Sequence, residues 1–166
     1  MNEQSAAYDT IVVGGGPSGA TAANDLARSG HKVLLLERGF RIKPCGGAIP
    51  PCLMAEFDIP EHLLVARIRS ARMVSPRGEA VDMPIDGTYV GMVDRDEFDP
   101  WLRERARQSG ADVVAGVLKS LRYVDDRIEL TYQTKDDNPR VMTVTARSVI
   151  GSDGARSAVA RATIPD

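Results

Sequence analysis

Residues 8–37 read YDTIVVGGGPSGATAANDLARSGHKVLLLE, and the pattern of these residues predicts the fold class. The β-branched run 8–13 predicts a strand, and the glycines within 14–19 predict a tight turn. The alanine-rich segment 20–29 predicts a helix that ends at Gly30, and the apolar run 32–37 predicts a second buried strand. Strand, turn, helix and strand in this order predict a βαβ unit with a right-handed crossover, which opens an α/β fold of the Rossmann type.

The turn has the spacing Gly14-x-Gly16-x-x-Gly19. Between a strand and a helix, Gly14 permits the tight turn, Gly16 lets the backbone approach a diphosphate, and Gly19 allows close packing of helix and strand. The helix that begins at Ala20 would direct its free N–H groups, and a partial charge of roughly +0.5, at the phosphates. The turn therefore predicts a dinucleotide site.

Glu37 ends the second predicted strand, 18 residues after Gly19. A carboxylate there can accept hydrogen bonds from both hydroxyls of a ribose and disfavours a 2′-phosphate, so the bound nucleotide is expected to be FAD or NAD and not NADP. Arg38, which follows, joins the cofactor-binding candidates. Two alternatives stay open at this point. The glycines can form an ordinary turn, and Glu37 can be a solvated strand end paired with Arg38.

The rest of the chain predicts an inserted sheet, a helix and a β-meander. Residues 67–75 and 79–83 alternate loosely around a turn at 76–78 and predict two strands. Residues 97–109 predict a helix with Gly110 as its stop and an apolar face of Phe98, Trp101, Leu102 and Ala106. Because Pro100 fits only a first turn, the helix cap is Asp94, Asp96 or Asp99. Further short strands are predicted at 113–115, 117–124, 127–133, 141–146 and 148–150.

The bulk composition excludes several classes of protein. With 166 residues the chain can bury the core of one ordinary domain, and a net charge of −2 predicts no nucleic-acid partner. Its longest apolar runs, 11–13 and 33–36, fall far short of the ~20 residues that cross a bilayer, so any membrane contact would be peripheral. Cys45 and Cys52, in a chain with a polar start, fit a reducing cytoplasm. Cys52 is expected to be a buried small residue, and no metal site is predicted.

Two signatures more than a hundred residues apart carry a family resemblance. Residues 14–20, GGGPSGA, resemble the opening of FAD-dependent oxidoreductases built like aromatic hydroxylases, and residues 151–157, GSDGARS, resemble their second signature. The resemblance implies that Asp153, with Gly154 beside it, contacts the FAD ribose, near the route used by NAD(P)H. It also implies that Arg95, in MVDRDEFD, reaches the flavin, where a guanidinium offers paired donors. The alternatives are a plain turn residue for Asp153 and a surface ion pair for Arg95.

A sharper resemblance lies in residues 43–50, KPCGGAIP, together with 56–58 and 89–93. These segments resemble the geranylgeranyl reductases of chlorophyll and bacteriochlorophyll synthesis, from about residue 8 to residue 159. The Cys-Gly-Gly element also occurs, in varied form, in archaeal reductases of geranylgeranyl lipids. Gly46 and Gly47 let backbone approach a flat ligand, and Cys45 is a candidate proton donor to the carbon opposite the hydride. A merely packed Cys45 is the alternative.

The resemblance implies a fold, a reaction and a division of the chain. The fold would be an incomplete Rossmann-like FAD-binding domain of the aromatic-hydroxylase and geranylgeranyl-reductase type: residues 1–65 as its first part, 66–93 as inserted strands of a substrate domain, and 94–166 as a truncated continuation. NADPH would reduce FAD, and the flavin would reduce C=C bonds of a geranylgeranyl pigment or diphosphate to phytyl. Because such enzymes are more than twice this length, the chain is expected to expose apolar sheet surface, to bind flavin weakly or not at all, and to be inactive alone.

Other functions remain open beside this one. An archaeal-type geranylgeranyl lipid reductase and an FAD monooxygenase share the architecture, and a noncatalytic nucleotide-binding fragment would need only the first turn. A plain NAD dehydrogenase explains neither residues 151–157 nor the Cys45 loop. The expected location is the cytoplasm, with peripheral contact at a photosynthetic membrane as an open alternative.

Overall fold

The computed structural model describes residues 6–39 and 45–164. The chain divides into two compact units, one formed by residues 1–41 and 99–166 and the other by residues 42–98. In chain order, the helices and strands are β1 Ala7–Val13, α1 Pro17–Arg28, β2 Val33–Glu37, β3 Ala48–Ile49, α2 Pro51–Glu56, β4 Leu64–Ile68, β5 Ser70–Val74, β6 Ala80–Pro84, β7 Val90–Val93, α3 Arg95–Gln108, β8 Asp112–Val124, β9 Arg127–Thr134, β10 Val141–Gly151 and α4 Ala158–Thr163.

The first unit combines a parallel sheet with an antiparallel meander. The parallel strands are ordered β10-β1-β2-β8, and β8-β9-β10 pair antiparallel, so the two long strands β8 and β10 belong to both sheets. The pairings therefore close into a ring. The α/β class, the βαβ opening and the meander are confirmed.

Side chains that alternate between the two faces of β1 and β2 show where the core of this unit lies. Ile11, Val13, Leu34 and Leu36 face the meander and pack with its Leu130, Tyr132, Val144 and Ala146. Residues at the intervening positions of β1 and β2 face the other way, toward the small residues of α1, which are buried on the same side. Each fully buried leucine contributes roughly 2 kcal/mol. The carboxyl ends of β1, β2 and β10 meet at one edge of the parallel part of the ring.

Strand boundaries differ from the sequence prediction where a strand changes partner. Residues 113–115 and 117–124 form the single strand β8, which pairs with β2 up to Ala115 and with β9 from Gly116 onward. The predicted strands 141–146 and 148–150 likewise merge into β10. The alternation of apolar and polar residues could not reveal that these strands are continuous. A strand that passes from one sheet to another exchanges the faces that it buries. The predicted strand 67–75 is instead divided at Arg69 between β4 and β5.

In the second unit, β3, β7 and β4 form a three-stranded sheet and β5 pairs with β6. The helix predicted at 97–109 begins earlier, at Arg95, because Asp94 caps it: Asp94 Oδ1 accepts the N–H of Asp96 at 2.9 Å. Pro100 consequently lies in the second turn, and not in the first as predicted. Trp101 is half-buried, and the guanidinium of Arg105 lies 4.8 Å from its ring centre.

Candidate functional site

The two glycine-containing signatures lie against each other in the first unit. Gly14 has a φ of +106°, and a Cβ there would come within 2.4 Å of the carbonyl oxygen of Ser152. A Cβ on Gly19 would lie 1.8 Å from the carbonyl oxygen of Gly14, and the backbone N–H of Ser152 donates to Val13 at 2.7 Å. These contacts leave no room for side chains, so both glycines are needed for the turn, as the motif predicts.

Gly15, the second of the three consecutive glycines, is held by two side chains. The N–H of Gly15 donates to Glu37 Oε2 at 2.6 Å, and its carbonyl accepts from Arg103 Nη1 at 3.0 Å. Glu37 also accepts the N–H of Gly39 at 3.0 Å through its other oxygen. Burial lowers the pKa of the Arg103 guanidinium, while the charges of Asp99 and Glu37 work in the opposite direction.

Gly16 differs from its neighbours because the space beside it is open. A Cβ built on Gly16 has no heavy atom within 4 Å, and the residue serves as N-cap of α1 with no side-chain hydrogen bond to the helix end. Pro17 is the first helical residue, where its missing N–H costs nothing. The N–H groups of Ser18 and Gly19 thus begin a helix that carries no side-chain cap, which is the arrangement that binds phosphate.

The described residues therefore fit the adenosine diphosphate half of a dinucleotide. Open space beside Gly16, an uncapped helix end and a carboxylate at the end of β2 lie around one corner of the sheet. Each oxygen of Glu37 uses one acceptor position on a backbone N–H, and a carboxylate retains further positions for ribose hydroxyls.

The second signature stabilises a helix start. Asp153 Oδ2 accepts the N–H of Ala158 at 2.6 Å, and Oδ1 accepts the Ser157 hydroxyl at 2.5 Å. Ser157 in turn accepts the N–H of Ala160 at 2.9 Å, so the two side chains satisfy the start of α4. Burial works against the charge of Asp153, but these hydrogen bonds outweigh it and hold its pKa below the ordinary value. The following Gly154 has a φ of +81°.

The Cys-Gly-Gly loop and the segment before α3 lie together in the second unit. Gly47 has a φ of +67°, and a Cβ there would come within 2.1 Å of the carbonyl oxygen of Val93. The N–H of Val93 donates to Gly47 at 3.0 Å, and β7 leads directly into Arg95, the first residue of α3. A Cβ built on Gly46 would lie 4.0 Å from the methyl group of Met92. Residues Lys43 and Pro44 of this motif lie outside the described residues.

The remaining predicted residues have varied environments. Ala20 is fully buried in the first turn of α1, Arg38 is exposed, Arg95 is half-buried, and Cys45 is an exposed thiol. Cys52 is also exposed, so its assignment as a buried residue was wrong. The reason is that it lies on α2, a short helix with no buried residues.

Sequence reasoning missed Arg103 and the pair Asn24 and Ser109. Asn24 is 2% exposed and accepts the Ser109 hydroxyl at 2.9 Å, which joins α1 to the end of α3. Arg103 is 8% exposed. The only available signal was a polar residue adjacent to an apolar helix face, and such residues are usually solvated.

Membrane-spanning helices and clustered metal ligands are both absent from the described ranges. Within 6–39 and 45–164, no helix combines the length and apolarity required to cross a membrane. The same ranges contain no group of three or more His, Cys, Asp or Glu residues placed to hold a metal ion.

Comparison with known proteins gives both general and specific relatives. Residues 9–49 match a family described as FAD dependent oxidoreductase, and residues 58–165 match one described as FAD binding domain. The geranylgeranyl diphosphate reductase of Rhodobacter capsulatus is 53% identical over 152 residues, which are 92% of this chain and 39% of that protein. The chloroplastic geranylgeranyl diphosphate reductase of Arabidopsis thaliana is 39% identical over 90% of the chain and 34% of its own length. The sequence resemblance is thereby confirmed.

Archaeal and structural relatives widen this group. The digeranylgeranylglycerophospholipid reductase of Methanoculleus marisnigri is 40% identical over 64% of the chain and 29% of its own length. A geranylgeranyl bacteriochlorophyll reductase-like structure from Thermoplasma acidophilum, 26% identical, superposes with a TM-score of 0.77 over 87% of the chain and 38% of its own. The aromatic hydroxylase CabE, 27% identical, superposes with a TM-score of 0.72 over 96% of the chain and 33% of its own.

The chain thus spans about two fifths or less of the length of these relatives. The FAD binding domain match covers more than half of the chain, and the described fold superposes on both of these solved structures. The chain belongs to the FAD binding domain family.

Proposed function

We propose that the protein to which this chain belongs is an FAD-dependent reductase of C=C bonds in a geranylgeranyl chain, with NADPH as electron donor. The observation that carries the substrate is 53% identity to a geranylgeranyl diphosphate reductase across almost the whole chain. The open corner at Gly16, beside Glu37 and the uncapped helix, supports the cofactor.

The adenosine half of FAD is proposed to bind at the carboxyl edge of the parallel sheet. Gly14 and Gly19 shape the turn, Gly16 admits the diphosphate, and Ala20 lies at the phosphate-facing start of α1. Glu37 would hold the ribose. Arg38, exposed beside it, would lie at the rim of the adenosine site.

A second group of residues is proposed to contact FAD in other places. Gly46, Gly47 and Arg95 would contact the flavin, since the glycines expose backbone and the guanidinium supplies paired donors. Asp153 and Gly154 would lie beside the ribose. Both carboxylate oxygens of Asp153 hold the start of α4, and the acceptor positions that they retain would serve a ribose hydroxyl.

Cys45 is proposed as the proton donor. Bound FAD supplies the hydride chemistry between NADPH and the alkene. Saturation of one C=C bond requires one hydride and one proton, and the Cys45 thiol would give that proton to the carbon opposite the one that accepts the hydride. An exposed thiol can regain its proton from water.

Residues 66–93 are proposed as part of a substrate domain, between the portions 1–65 and 94–166 of the FAD-binding domain. An isoprenoid substrate needs an extended apolar surface, and β5 and β6 carry exposed apolar side chains at Met73, Val74, Val81 and Met83. The proposed location is the cytoplasm, peripheral to a photosynthetic membrane, because relatives are chloroplast reductases.

A second candidate is an archaeal-type reductase of geranylgeranyl lipids, supported by 40% identity to the Methanoculleus marisnigri protein over a shorter span. An FAD monooxygenase is supported by the CabE fold, and a noncatalytic nucleotide-binding fragment by the first turn.

The test is an assay of the product of the complete natural gene. With FAD and NADPH, we expect reduction of geranylgeranyl bacteriochlorophyll or geranylgeranyl diphosphate and little turnover of digeranylgeranylglycerophospholipid. Preference for the glycerolipid would establish the archaeal-type lipid reductase. Oxygen-dependent hydroxylation would establish the FAD monooxygenase. Colourless protein that binds ADP and reduces neither substrate would contradict the proposal.

The same assay tests the proton donor. Cys45→Ser should lower kcat by about a hundredfold, the usual size of a lost general acid, while KM changes little. Cys52→Ser changes another exposed thiol and should leave kcat unaltered. Equal activity of the two variants would remove Cys45 from the mechanism.

A further inference from the structure

Arg103 contacts the glycine turn from a helix that contains none of the residues of the nucleotide motif. It projects from α3 and is 8% exposed, and its Nη1 donates to the carbonyl oxygen of Gly15 at 3.0 Å. Its Cδ lies 3.1 Å from the position of a Cβ on Gly15, so the aliphatic stem also packs against the turn. Burial of a guanidinium requires compensation, which Asp99 and Glu37 provide as neighbouring negative charges.

The bond to Gly15 fixes a particular peptide plane. The carbonyl of Gly15 and the N–H of Gly16 belong to the same peptide unit, and in a planar trans peptide the two bonds point in opposite directions. Holding the carbonyl toward Arg103 therefore turns the Gly16 N–H away from Arg103. The space beside Gly16 is open for at least 4 Å around a built Cβ.

Glu37 fixes the preceding peptide plane in the same way. It accepts the Gly15 N–H at 2.6 Å, and the carbonyl of Gly14 in that unit lies against Gly19. Two successive peptide units of a turn made of glycines are thus oriented by side chains of opposite charge. Glycine has the most backbone freedom to lose, so free rotation here would weaken any binding that depends on these N–H groups.

We propose that Arg103 is a positioning residue for the nucleotide diphosphate, which acts by holding the Gly15–Gly16 peptide so that the Gly16 N–H faces the phosphates. The inference rests on the nucleotide site proposed above and adds a residue outside the glycine motif. Arg103 itself does not touch the ligand, so its effect should depend on the diphosphate and not on the adenosine.

The experiment compares ADP with adenosine as probes, by calorimetric titration of the FAD-free product of the complete natural gene. In Arg103→Met, ADP affinity should fall about tenfold, the size expected for a lost charge-assisted hydrogen bond, and adenosine affinity by less than about threefold. Arg103→Lys keeps the charge and one donor, and should recover part of the ADP affinity. Arg107→Met changes an exposed arginine one turn later on α3 and should bind both probes like the parent chain.

Amide hydrogen exchange of the ligand-free chain supplies a second readout. Exchange of the Gly15 N–H should accelerate by about tenfold in Arg103→Met, with unchanged exchange in β1 and β2, because the turn alone loosens. A circular dichroism spectrum confirms that each variant is folded.

Three results would count against the proposal in distinguishable ways. If Arg103→Met binds ADP like the parent and exchange at Gly15 is unchanged, the role of Arg103 is overturned. The nucleotide site then stays intact. Equal losses for ADP and adenosine, with no recovery in Arg103→Lys, mark a residue that only supports the fold. A complete parent protein that binds neither probe overturns the nucleotide site, and this inference with it.

Discussion

Two glycines of one turn should respond differently to the same added methyl group. In Gly19→Ala the Cβ would lie 1.8 Å from the backbone oxygen of Gly14, so we expect about 3 kcal/mol or more of lost unfolding free energy. In Gly16→Ala the Cβ enters open space at an extended backbone, so stability should change by less than about 1 kcal/mol while ADP affinity falls at least tenfold. Urea unfolding and ADP titration measure both. Full ADP affinity in Gly16→Ala would contradict the assigned role.

The lowered pKa of Asp153 predicts that the free energy of unfolding depends on pH. Its pKa is lowered in the folded protein, so its contribution is fully present above the ordinary aspartate pKa of about 3.9 and is lost as pH falls through the folded value. Asp153→Asn should cost about 1 kcal/mol at pH 7, the size of a lost helix cap, and the difference from the parent chain should shrink toward pH 3. Urea titrations from pH 3 to 7 measure this. The exposed Asp126→Asn is the control, and a difference independent of pH would refute the assignment.

At the scale of elements, the point where β8 changes partner is tightly packed. A Cβ on Gly116 would lie 2.9 Å from Leu36 and from Tyr132, so Gly116→Val should destabilise the chain by about 2–3 kcal/mol through overpacking. The exposed Ser120→Ala, on the same strand, should stay within about 0.5 kcal/mol. Denaturant midpoints at equal slope measure the difference. A neutral Gly116→Val would mean that the two sheets do not share β8 as described.

The sequence predicts elements well where a residue's local pattern and its tertiary role agree. The spacing of the glycines between a strand and a helix predicted the corner at Gly14 and Gly19. The carboxylate of Glu37 lies beside this corner because β1 and β2 are parallel. Merging of the predicted strands into β8 and β10 depends on pairing between distant segments, which no local pattern contains. Arg103 was missed for the same reason, since its contact with Gly15 spans 88 residues.

At the scale of the whole molecule, the residue pattern predicts the class of cofactor more firmly than the substrate. The turn and the carboxylate are physical requirements of nucleotide binding, and they can be read from residue types alone. A tunnel for an isoprenoid depends on surfaces assembled from many apolar side chains, which have no fixed spacing. The substrate assignment therefore derives from relatives that are more than twice the length of this chain.

We propose above all that an adenosine diphosphate group binds over the corner between β1 and α1. The decisive measurement is titration of the ¹⁵N-labelled, FAD-free product of the complete natural gene with ADP, followed by amide chemical shifts. We predict saturable shifts concentrated at residues 14–20 and 37–39, with the largest at Gly16. Shifts concentrated elsewhere, or none at concentrations of ADP up to several millimolar, would contradict the account.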